Sequence, residues 1–287
     1  MHPFIEIFGF KLPVYGLLMA AAMLASIGIS VLRAKKRGLS VDRLLSIALA
    51  AIVAGIIGAK ALFFIVTYSW QEFWDGVRAN GISFITDGGL VFYGGLIGGA
   101  LGAFLGAKFV KTKLYYYSDS VVPALPLAHA IGRLGCFFAG CCYGRVTTSW
   151  IGMEFPTSAT GLAPGVKVIP TQLIECGVNL LVFAFLMWYA RKERRGFMTL
   201  FVYLIIYSVE RFLIEYLRGD EIRGIFGAFS TSQWISIGLA VLAVAGVVIT
   251  VKLADKFPPP VSCETPFLIL KDDEAPEAEE EPPETER

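Results

Sequence analysis

Seven long apolar stretches, separated by polar segments, run along the chain. They lie at residues 13–32, 44–67, 89–109, 121–138, 171–190, 198–217 and 232–251. Each is close to the ~20 residues that a helix needs to cross the hydrocarbon core of a bilayer. Lipid offers no partner for free backbone N–H and C=O groups, so such stretches form helices. The pattern therefore predicts an all-α integral membrane protein with about seven transmembrane helices.

The connections between these stretches alternate in charge. Basic residues such as Arg33, Lys111, Arg191 and Lys252 follow the first, third, fifth and seventh stretches. The other loops, at 68–88, 139–170 and 218–231, are longer and poorer in basic residues. The positive-inside rule then places the N-terminus outside and the C-terminus in the cytoplasm. The first stretch is long enough to span the bilayer, so we expect a retained anchor and no cleavable signal peptide.

Composition agrees with a polytopic membrane protein and separates a basic body from an acidic tail. The chain has 287 residues, of which 55% are hydrophobic and 17% charged. Residues 271–287 contain nine acidic and two basic residues, a net charge of −7, which leaves +8 on the preceding part. We expect a membrane domain over residues 1–256 and a disordered acidic tail over 257–287. A basic body suits anionic membrane lipid, and no nucleic-acid partner is predicted.

Arg133 is the most informative charge, because it ends an apolar run that begins at Val121. A charge at the bilayer centre costs about 2.5–3.5 kcal/mol on insertion scales, so it normally faces a polar site. A forked, permanently cationic donor suits a phosphate, and a structural ion pair with a glutamate is the alternative. His129, four residues earlier, shares its helix face. A helix-to-helix hydrogen bond is the simpler interpretation of His129.

A glycine cluster opens the third stretch, after Asp87. Gly94 and Gly98 have the GxxxG spacing, which by itself is typical of close helix packing. The cluster is denser than that motif and includes Tyr93. We therefore predict a bent segment where a ligand meets the backbone at Gly94 and Gly95, with the Tyr93 hydroxyl directed into the same space.

A third polar group lies on the sixth stretch, where Arg211, Glu215 and Arg218 fall at i, i+4 and i+7 and form one predicted stripe. Glu215 can pair with either arginine, which leaves a net positive charge facing inward. Further polar groups at the outer ends of the fifth and seventh stretches are Gln172, Glu175 and Gln233. Together with Arg133, these residues predict a central, cationic polar cavity open to the outer face.

Three cysteines follow Arg133 closely: Cys136, Cys141 and Cys142. Their spacing matches no common zinc pattern, and His129 is the one nearby nitrogen ligand, so no metal site is predicted. A redox-active or disulfide-bonded Cys141–Cys142 pair is the alternative.

Several of these motifs together resemble the bacterial prolipoprotein diacylglyceryl transferase family. They are Gly-Gly-Leu-Val-Phe-Tyr-Gly-Gly-Leu-Ile-Gly-Gly from Gly88, Gly-Arg-Leu-Gly from Gly132, Pro-Thr-Gln-Leu from Pro170 with Glu175, and Arg-Phe-Leu-Ile-Glu-Tyr-Leu-Arg from Arg211. The resemblance extends from about Tyr15 to Gln233, with the same order and the same seven-span layout.

The resemblance implies an enzyme of the bacterial cytoplasmic (inner) membrane that needs no cofactor. It would move diacylglycerol from phosphatidylglycerol to the lipobox cysteine in the signal peptide of a preprolipoprotein and release glycerol phosphate. Arg133 and Arg211 match the essential arginines of the family and would clamp the phosphate. The remaining matches are Glu215 and Arg218 in the polar stripe, and Tyr15 and Gln172 as secondary contacts.

The chain departs from the best-known members of the family at three positions. Tyr93 stands where they have a histidine proposed as the base for the thiol proton, and a tyrosine with a reference pKa near ~10 is mostly a hydrogen-bond donor. Cys136 and Cys141 stand where they have asparagine and glutamate. Two alternatives therefore stay open: a related transferase with the same lipid donor and another acceptor, and a non-catalytic protein that binds or transports lipid.

Overall fold

The computed structural model describes residues 4–7, 10–86, 88–156, 161–219, 225–253 and 256. The acidic tail from residue 257 onward lies outside the described residues, as do Asp87 and Asp220. Helices make up most of the described chain, and its strands form three short, two-stranded antiparallel sheets.

In chain order, the helices and strands are β1 (Phe4–Ile7), β2 (Phe10–Pro13), α1 (Val14–Lys36), α2 (Val41–Thr67), α3 (Trp70–Asn80), α4 (Ile82–Thr86), α5 (Phe92–Phe109), α6 (Tyr115–Val121), α7 (Leu125–Ala139), β3 (Met153–Glu154), β4 (Lys167–Val168), α8 (Thr171–Tyr189), α9 (Met198–Ile214), β5 (Ile225–Phe226), β6 (Phe229–Ser230) and α10 (Thr231–Lys252). The strands pair as β1 with β2, β3 with β4, and β5 with β6.

Among the described residues, six helical segments are long and apolar enough to cross a membrane. They are α1, α2, α5, the joined segment Tyr115–Ala139, α8 and α10. The sixth apolar stretch of the sequence forms α9, a helix of 17 residues that continues into a 3-10 turn over Glu215–Leu217. The prediction of an all-α membrane protein is confirmed.

The fourth spanning segment begins at Tyr115, six residues before the apolar stretch that predicted it. Its first turns contain tyrosine, serine and aspartate, so their hydropathy is low. Tyr117, Asp119 and Ser120 are nevertheless buried among the other helices. A 3-10 turn over Val122–Ala124, which contains Pro123, separates α6 from α7, because proline cannot donate a helix hydrogen bond.

Burial is inverted with respect to a water-soluble protein. Gln172, Glu175 and Asn179 are almost completely buried, whereas Ile65, Leu181 and Leu242 are at least 70% exposed. Lipid tails are as apolar as these exposed side chains, so polar groups gain from lying inside the bundle. The polar interior therefore follows from the membrane setting.

Helix α5 packs on α2 along a stripe of small residues. The faces meet at Gly94, Gly98 and Gly102 of α5, opposite Gly58, Ala54 and Ala50 of α2. A methyl group at Gly98 would collide with the Ala54 carbonyl oxygen and lie 3.1 Å from the Gly58 Cα. Such small faces let two backbones approach closely. The helix-packing interpretation of GxxxG therefore describes Gly94 and Gly98.

Replacing Gly98 by alanine is expected to destabilise the bundle by about 1–3 kcal/mol, because the backbones must move apart. The matched control is Gly238→Ala in α10, where a methyl group meets no heavy atom within 4 Å. That change is expected to be neutral or to stabilise by up to about 1 kcal/mol, through better helix propensity. Unfolding in detergent, followed by circular dichroism, compares the two. Equal effects would contradict the packing explanation.

Two ends of the bundle can be distinguished. The basic end, where α1 connects to α2 and α8 connects to α9, carries Arg33, Arg37 and Arg194. The loop end contains the long connections that precede α5, α8 and α10. Asp119 is buried at the basic end. Its carboxylate lies 3.5 Å from Arg37 Nη1, accepts a hydrogen bond of 2.7 Å from the Arg194 backbone N–H, and accepts another from the Thr199 hydroxyl.

Candidate active site

Arg133 lies on α7, near the loop end, one helical turn after His129. Its Nε–H donates to His129 Nε2 over 3.3 Å, which confirms that the two residues share a face. The side chain of Arg133 is 15% exposed. Because His129 Nε2 accepts from a guanidinium, this nitrogen is occupied and is a poor candidate for removing a substrate proton.

Glu175 of α8 holds Arg133 through an ion pair. One carboxylate oxygen lies 2.6 Å from Arg133 Nη2, and the other lies 3.7 Å from Arg218 Nη1. Glu175 is 1% exposed, so the carboxylate bridges two guanidiniums inside the protein. The ion-pair interpretation of Arg133 thus holds for its contact with Glu175, and the same contact fixes the guanidinium in place.

A second ion pair lies between α9 and the start of α10. Arg211 Nη1 is 2.8 Å from one oxygen of Glu215, and the Ser230 hydroxyl donates to the other oxygen over 2.8 Å. Arg211 Nη2 donates to the Ser232 hydroxyl over 3.0 Å. Gln233 is buried here, and its side-chain oxygen accepts from the Ser230 backbone N–H, which caps α10.

The predicted stripe of Arg211, Glu215 and Arg218 is not one continuous helix face. Helix α9 ends at Ile214, a 3-10 turn follows, and the Arg218 backbone is extended. Arg218 then pairs with Gly144 in an isolated bridge. The helical period of 3.6 residues does not predict these positions, because the α-helix ends in a tighter 3-10 turn and the chain then becomes extended. As a result, Arg211 pairs with Glu215, whereas Arg218 approaches Glu175.

Two further polar residues, to which the sequence pattern assigned no role, join the cluster. Asn179 of α8 is fully buried, and its amide donates to Glu210 Oε1 over 2.6 Å and to the Glu175 carbonyl over 2.8 Å. Both Asn179 and Glu210 lie in apolar stretches, where a polar group is costly. The cost of placing a polar group in lipid could therefore have identified both residues as members of the polar cluster.

The charge of the cluster differs from the prediction. Arg133, Arg211 and Arg218 stand against the three glutamates Glu175, Glu210 and Glu215. The predicted net positive charge set these arginines against Glu215 alone. With Glu175 of α8 and Glu210 of α9 included, the formal charges of these six residues balance. The described contacts of Arg133 use Nε and Nη2, whereas a guanidinium has five N–H groups in all.

The loop after α7 is held against the start of α8. Gly140 ends α7 in the left-handed conformation. The Gln172 amide then donates to the Cys141 carbonyl over 2.7 Å, and the Thr171 hydroxyl donates to the Cys142 carbonyl over 2.8 Å. Gln172 therefore positions this loop next to the cluster.

The three cysteine thiols of this loop region lie together, with their sulfurs within 4.8 Å of one another. Hydrogen bonds from the thiols of Cys136 and Cys141, and from the Arg218 side chain, lower the pKa of the Cys142 thiol below its ordinary value. The Cys142 sulfur is thus hydrogen-bonded to Arg218, an arginine of the cluster.

Tyr93 opens α5 and is 46% exposed. Its side chain is close enough to Tyr207 to interact with it electrostatically. Tyr207 also interacts with Arg133, and its ring centroid lies 5.8 Å from that of the His129 ring. Gly94 is buried against α2, and a methyl group at Gly95 would be in ordinary contact with Ala59. These positions give both glycines packing contacts, while their predicted contact with substrate stays a prediction.

Tyr15, near the start of α1, packs its ring against α7. A methyl group at Gly135 would lie 3.1 Å from the Tyr15 ring, so the glycine allows this approach. Tyr15 is also within electrostatic range of Arg133. It therefore lies beside the cluster, and its role as a secondary contact stays a prediction.

An apolar groove of about 270 Å³ lies between α9 and α10. Its lining includes Ser208 and Phe212, within one turn of Arg211, and Ser236, one turn after Ser232. The groove thus runs beside the second ion pair on the outside of the bundle, where lipid tails would lie.

Fold and site together define a polytopic helical membrane protein with largely buried, glutamate-paired arginines beside an apolar groove, an arrangement suited to an anionic phospholipid. The family model for prolipoprotein diacylglyceryl transferase matches residues 3–249. The chain belongs to the prolipoprotein diacylglyceryl transferase family, which confirms the resemblance found in the sequence.

Individual relatives agree over most of their length. The chain is 40% identical over 235 residues to phosphatidylglycerol--prolipoprotein diacylglyceryl transferase 2 of Clostridium perfringens, covering 81% of this chain and 88% of the relative. It is 37% identical to the phosphatidylglycerol--prolipoprotein diacylglyceryl transferase of Clostridium tetani, over 83% of this chain and 93% of the relative. With the enzyme of the same name from Clostridioides difficile the identity is 31%, over 87% and 94%.

Proposed function

We propose that this protein transfers the diacylglyceryl group of phosphatidylglycerol to the thiol of the lipobox cysteine in a preprolipoprotein and releases glycerol phosphate. The observation that carries the proposal is the pair of largely buried guanidiniums, Arg133 and Arg211, each held by a glutamate. The names of the relatives support both substrates.

The lipid donor brings one negative charge in its phosphodiester, and the leaving glycerol phosphate gains a second. Arg133 and Arg211 supply forked donors on separate helices, which suits two phosphate oxygens. Glu175 and Glu215 keep these forks oriented before the lipid arrives. Donors that are already in place where charge develops lower the barrier without reorganisation.

The acyl chains of the donor need an apolar path away from the arginines. The groove between α9 and α10 offers one, since it is lined by Phe212, Leu213 and Ile237. A lipid with its phosphate near Arg211 and one chain in this groove would present the glyceryl carbon at the loop end of the bundle.

We place the protein in the bacterial cytoplasmic membrane, with the N-terminus outside and the C-terminus in the cytoplasm. The support is the concentration of arginines at the basic end, including Arg33, Arg37 and Arg194. The loop end would then face outward, toward an exported lipoprotein precursor.

The test uses the purified protein with phosphatidylglycerol and a lipobox peptide. We expect release of glycerol phosphate and a thioether-linked diacylglyceryl peptide, detected by mass spectrometry. The control peptide has serine in place of the lipobox cysteine. If neither product forms while a relative is active under the same conditions, the proposal is wrong.

A transferase with another acceptor is the second candidate, because Tyr93 replaces the histidine of the best-known members. The same assay separates the two functions. Glycerol phosphate release that requires a nucleophile other than the lipobox thiol would favour the second candidate.

Replacing Tyr93 by phenylalanine is expected to lower kcat/KM by about 10- to 100-fold, the value of one hydrogen bond of about 1.5–3 kcal/mol to a charged group. The reason is that Tyr93 would donate to the substrate, as its place near Tyr207 permits. The matched control is Tyr68→Phe, since the Tyr68 ring packs on Phe84 and needs no hydroxyl to do so. Full activity of the Tyr93 variant would show that its hydroxyl has no part in transfer.

A further inference from the structure

The cysteine cluster at the loop end consists of Cys136, in the last turn of α7, and Cys141 and Cys142 in the following loop. Their sulfurs lie within 4.8 Å of one another. Three thiolates bound at about 2.3 Å around one tetrahedral ion are about 3.8 Å apart. Small side-chain rotations would therefore bring all three onto one ion, although their sequence spacing matches no common zinc pattern.

The backbone of this loop is built to hold the three thiols. Cys142 has a φ of 61°, a left-handed conformation that non-glycine residues rarely adopt. Two completely buried side chains, Thr171 and Gln172, bind the carbonyls of Cys142 and Cys141. A strained residue persists only where its surroundings enforce it, and such residues gather at functional sites.

The cysteine cluster also adjoins the arginines. The Cys142 thiol is hydrogen-bonded to the Arg218 side chain, and Arg218 lies 3.7 Å from Glu175, the partner of Arg133. A divalent ion with three thiolates carries one negative charge, which Arg218 would offset. Cys141 is exposed, whereas Cys136 and Cys142 are half-buried, so one side of the cluster is open.

We propose that Cys136, Cys141 and Cys142 bind a thiophilic divalent cation such as Zn²⁺, and that its fourth coordination position takes the acceptor thiol. A metal-bound thiol loses its proton at neutral pH. The cation would thereby do the work of a base in a chain that has Tyr93 at the position of the family histidine. This inference rests on the proposed transfer and names how its nucleophile is prepared.

The step balances without an oxidant or reductant. On coordination the acceptor thiol releases its proton to water. The sulfur electron pair then forms a C–S bond to the glyceryl carbon of the donor, while the C–O bond to phosphate breaks and its electron pair leaves with glycerol phosphate. The cation keeps its oxidation state throughout.

The test starts with the full chain, reduced and stripped of metal by a chelator, in detergent. We expect it to bind one Co²⁺ per chain with a sulfur-to-metal charge-transfer absorption, and one Zn²⁺ in competition. Single Cys→Ser changes at the three positions should each weaken metal binding by on the order of 100-fold, since one of three protein ligands is lost. The matched control is Cys176→Ser, a buried cysteine of α8 outside the cysteine cluster, which should bind normally.

The acceptor position is tested by adding a lipobox peptide to the Co²⁺ form. The cysteine peptide should change the cobalt spectrum, and the serine peptide should not. Chelation of the wild-type protein should abolish transfer, and Zn²⁺ should restore it. This reversible arm does not depend on whether the variants fold.

The outcomes separate the metal site from the proposed function. Transfer at an unchanged rate in the metal-free, reduced protein overturns the metal proposal and leaves the transferase intact. Binding of the cation without any spectral response to the cysteine peptide overturns the acceptor position. A spectral response to that peptide with no release of glycerol phosphate supports the metal site and rejects the transfer. A protein whose thiols form a disulfide in preference to binding the cation also overturns the proposal.

Discussion

Replacement of Arg133 by alanine is expected to lower kcat/KM for diacylglyceryl transfer by about 100- to 1000-fold, the value of one preorganised donor to a developing oxyanion. The variant also leaves Glu175, which lies 2.6 Å from the guanidinium, without its closest cation. Glycerol phosphate release from phosphatidylglycerol, with the lipobox peptide as acceptor, measures the effect.

Two further variants identify the cause of this loss of activity. Arg133→Lys keeps the charge and removes the planar fork, so activity should return only in part. Arg145→Ala, in the loop after α7, removes an exposed arginine from the same end of the bundle and should leave activity within about twofold, as surface changes usually do. A fully active Arg133→Ala protein would contradict the phosphate clamp and favour a purely structural ion pair.

Replacement of Asp119 by alanine is expected to destabilise the protein by about 3–5 kcal/mol, because it removes one partner of a buried ion pair. Asp119 is 2% exposed, and its carboxylate connects Arg37, the Arg194 backbone and Thr199. The loss removes the Asp119 carboxylate from Arg37 at the junction of α1, α6 and the α8–α9 connection. Unfolding in detergent measures the change in free energy.

The control is Asp75→Ala, which removes an exposed carboxylate 3.7 Å from Arg78. Such surface pairs contribute about 0–1 kcal/mol, so this variant should resemble the wild type. Asp119→Asn should be intermediate, since the amide oxygen can still accept one hydrogen bond. A loss at Asp119 no larger than that at Asp75 would show that the network at the basic end does not stabilise the bundle.

Much of the fold could be predicted because hydropathy acts locally. All seven apolar stretches are helical, and in the part of the chain that the structure describes six helical segments are long and apolar enough to span a membrane. The helix start at Tyr115 could not be predicted in this way, since Asp119 and Ser120 are polar and are tolerated only because other helices enclose them. Hydropathy depends only on the local amino-acid composition, whereas the burial of a residue depends on neighbours that are distant in the sequence.

Contacts within one helix could be predicted, whereas contacts between helices could not. His129 and Arg133 meet because they lie one turn apart on a regular helix. The partners of Arg133 and Arg218 were not predictable, since Glu175 comes from a separate helix and the α9 helix ends before Arg218. These ion pairs with Glu175 are determined by tertiary packing and not by the helical period.

The sequence by itself determined that this is a helical membrane protein, that it resembles the diacylglyceryl transferases, and that Arg133 and Arg211 need polar partners, because these conclusions depend on composition, motifs and the cost of charge in lipid. Only the tertiary structure decided which glutamate holds each arginine, that the cluster balances three guanidiniums with three carboxylates, and that three cysteine sulfurs lie within 4.8 Å. Those features depend on distances between separate helices and loops, which linear spacing does not contain.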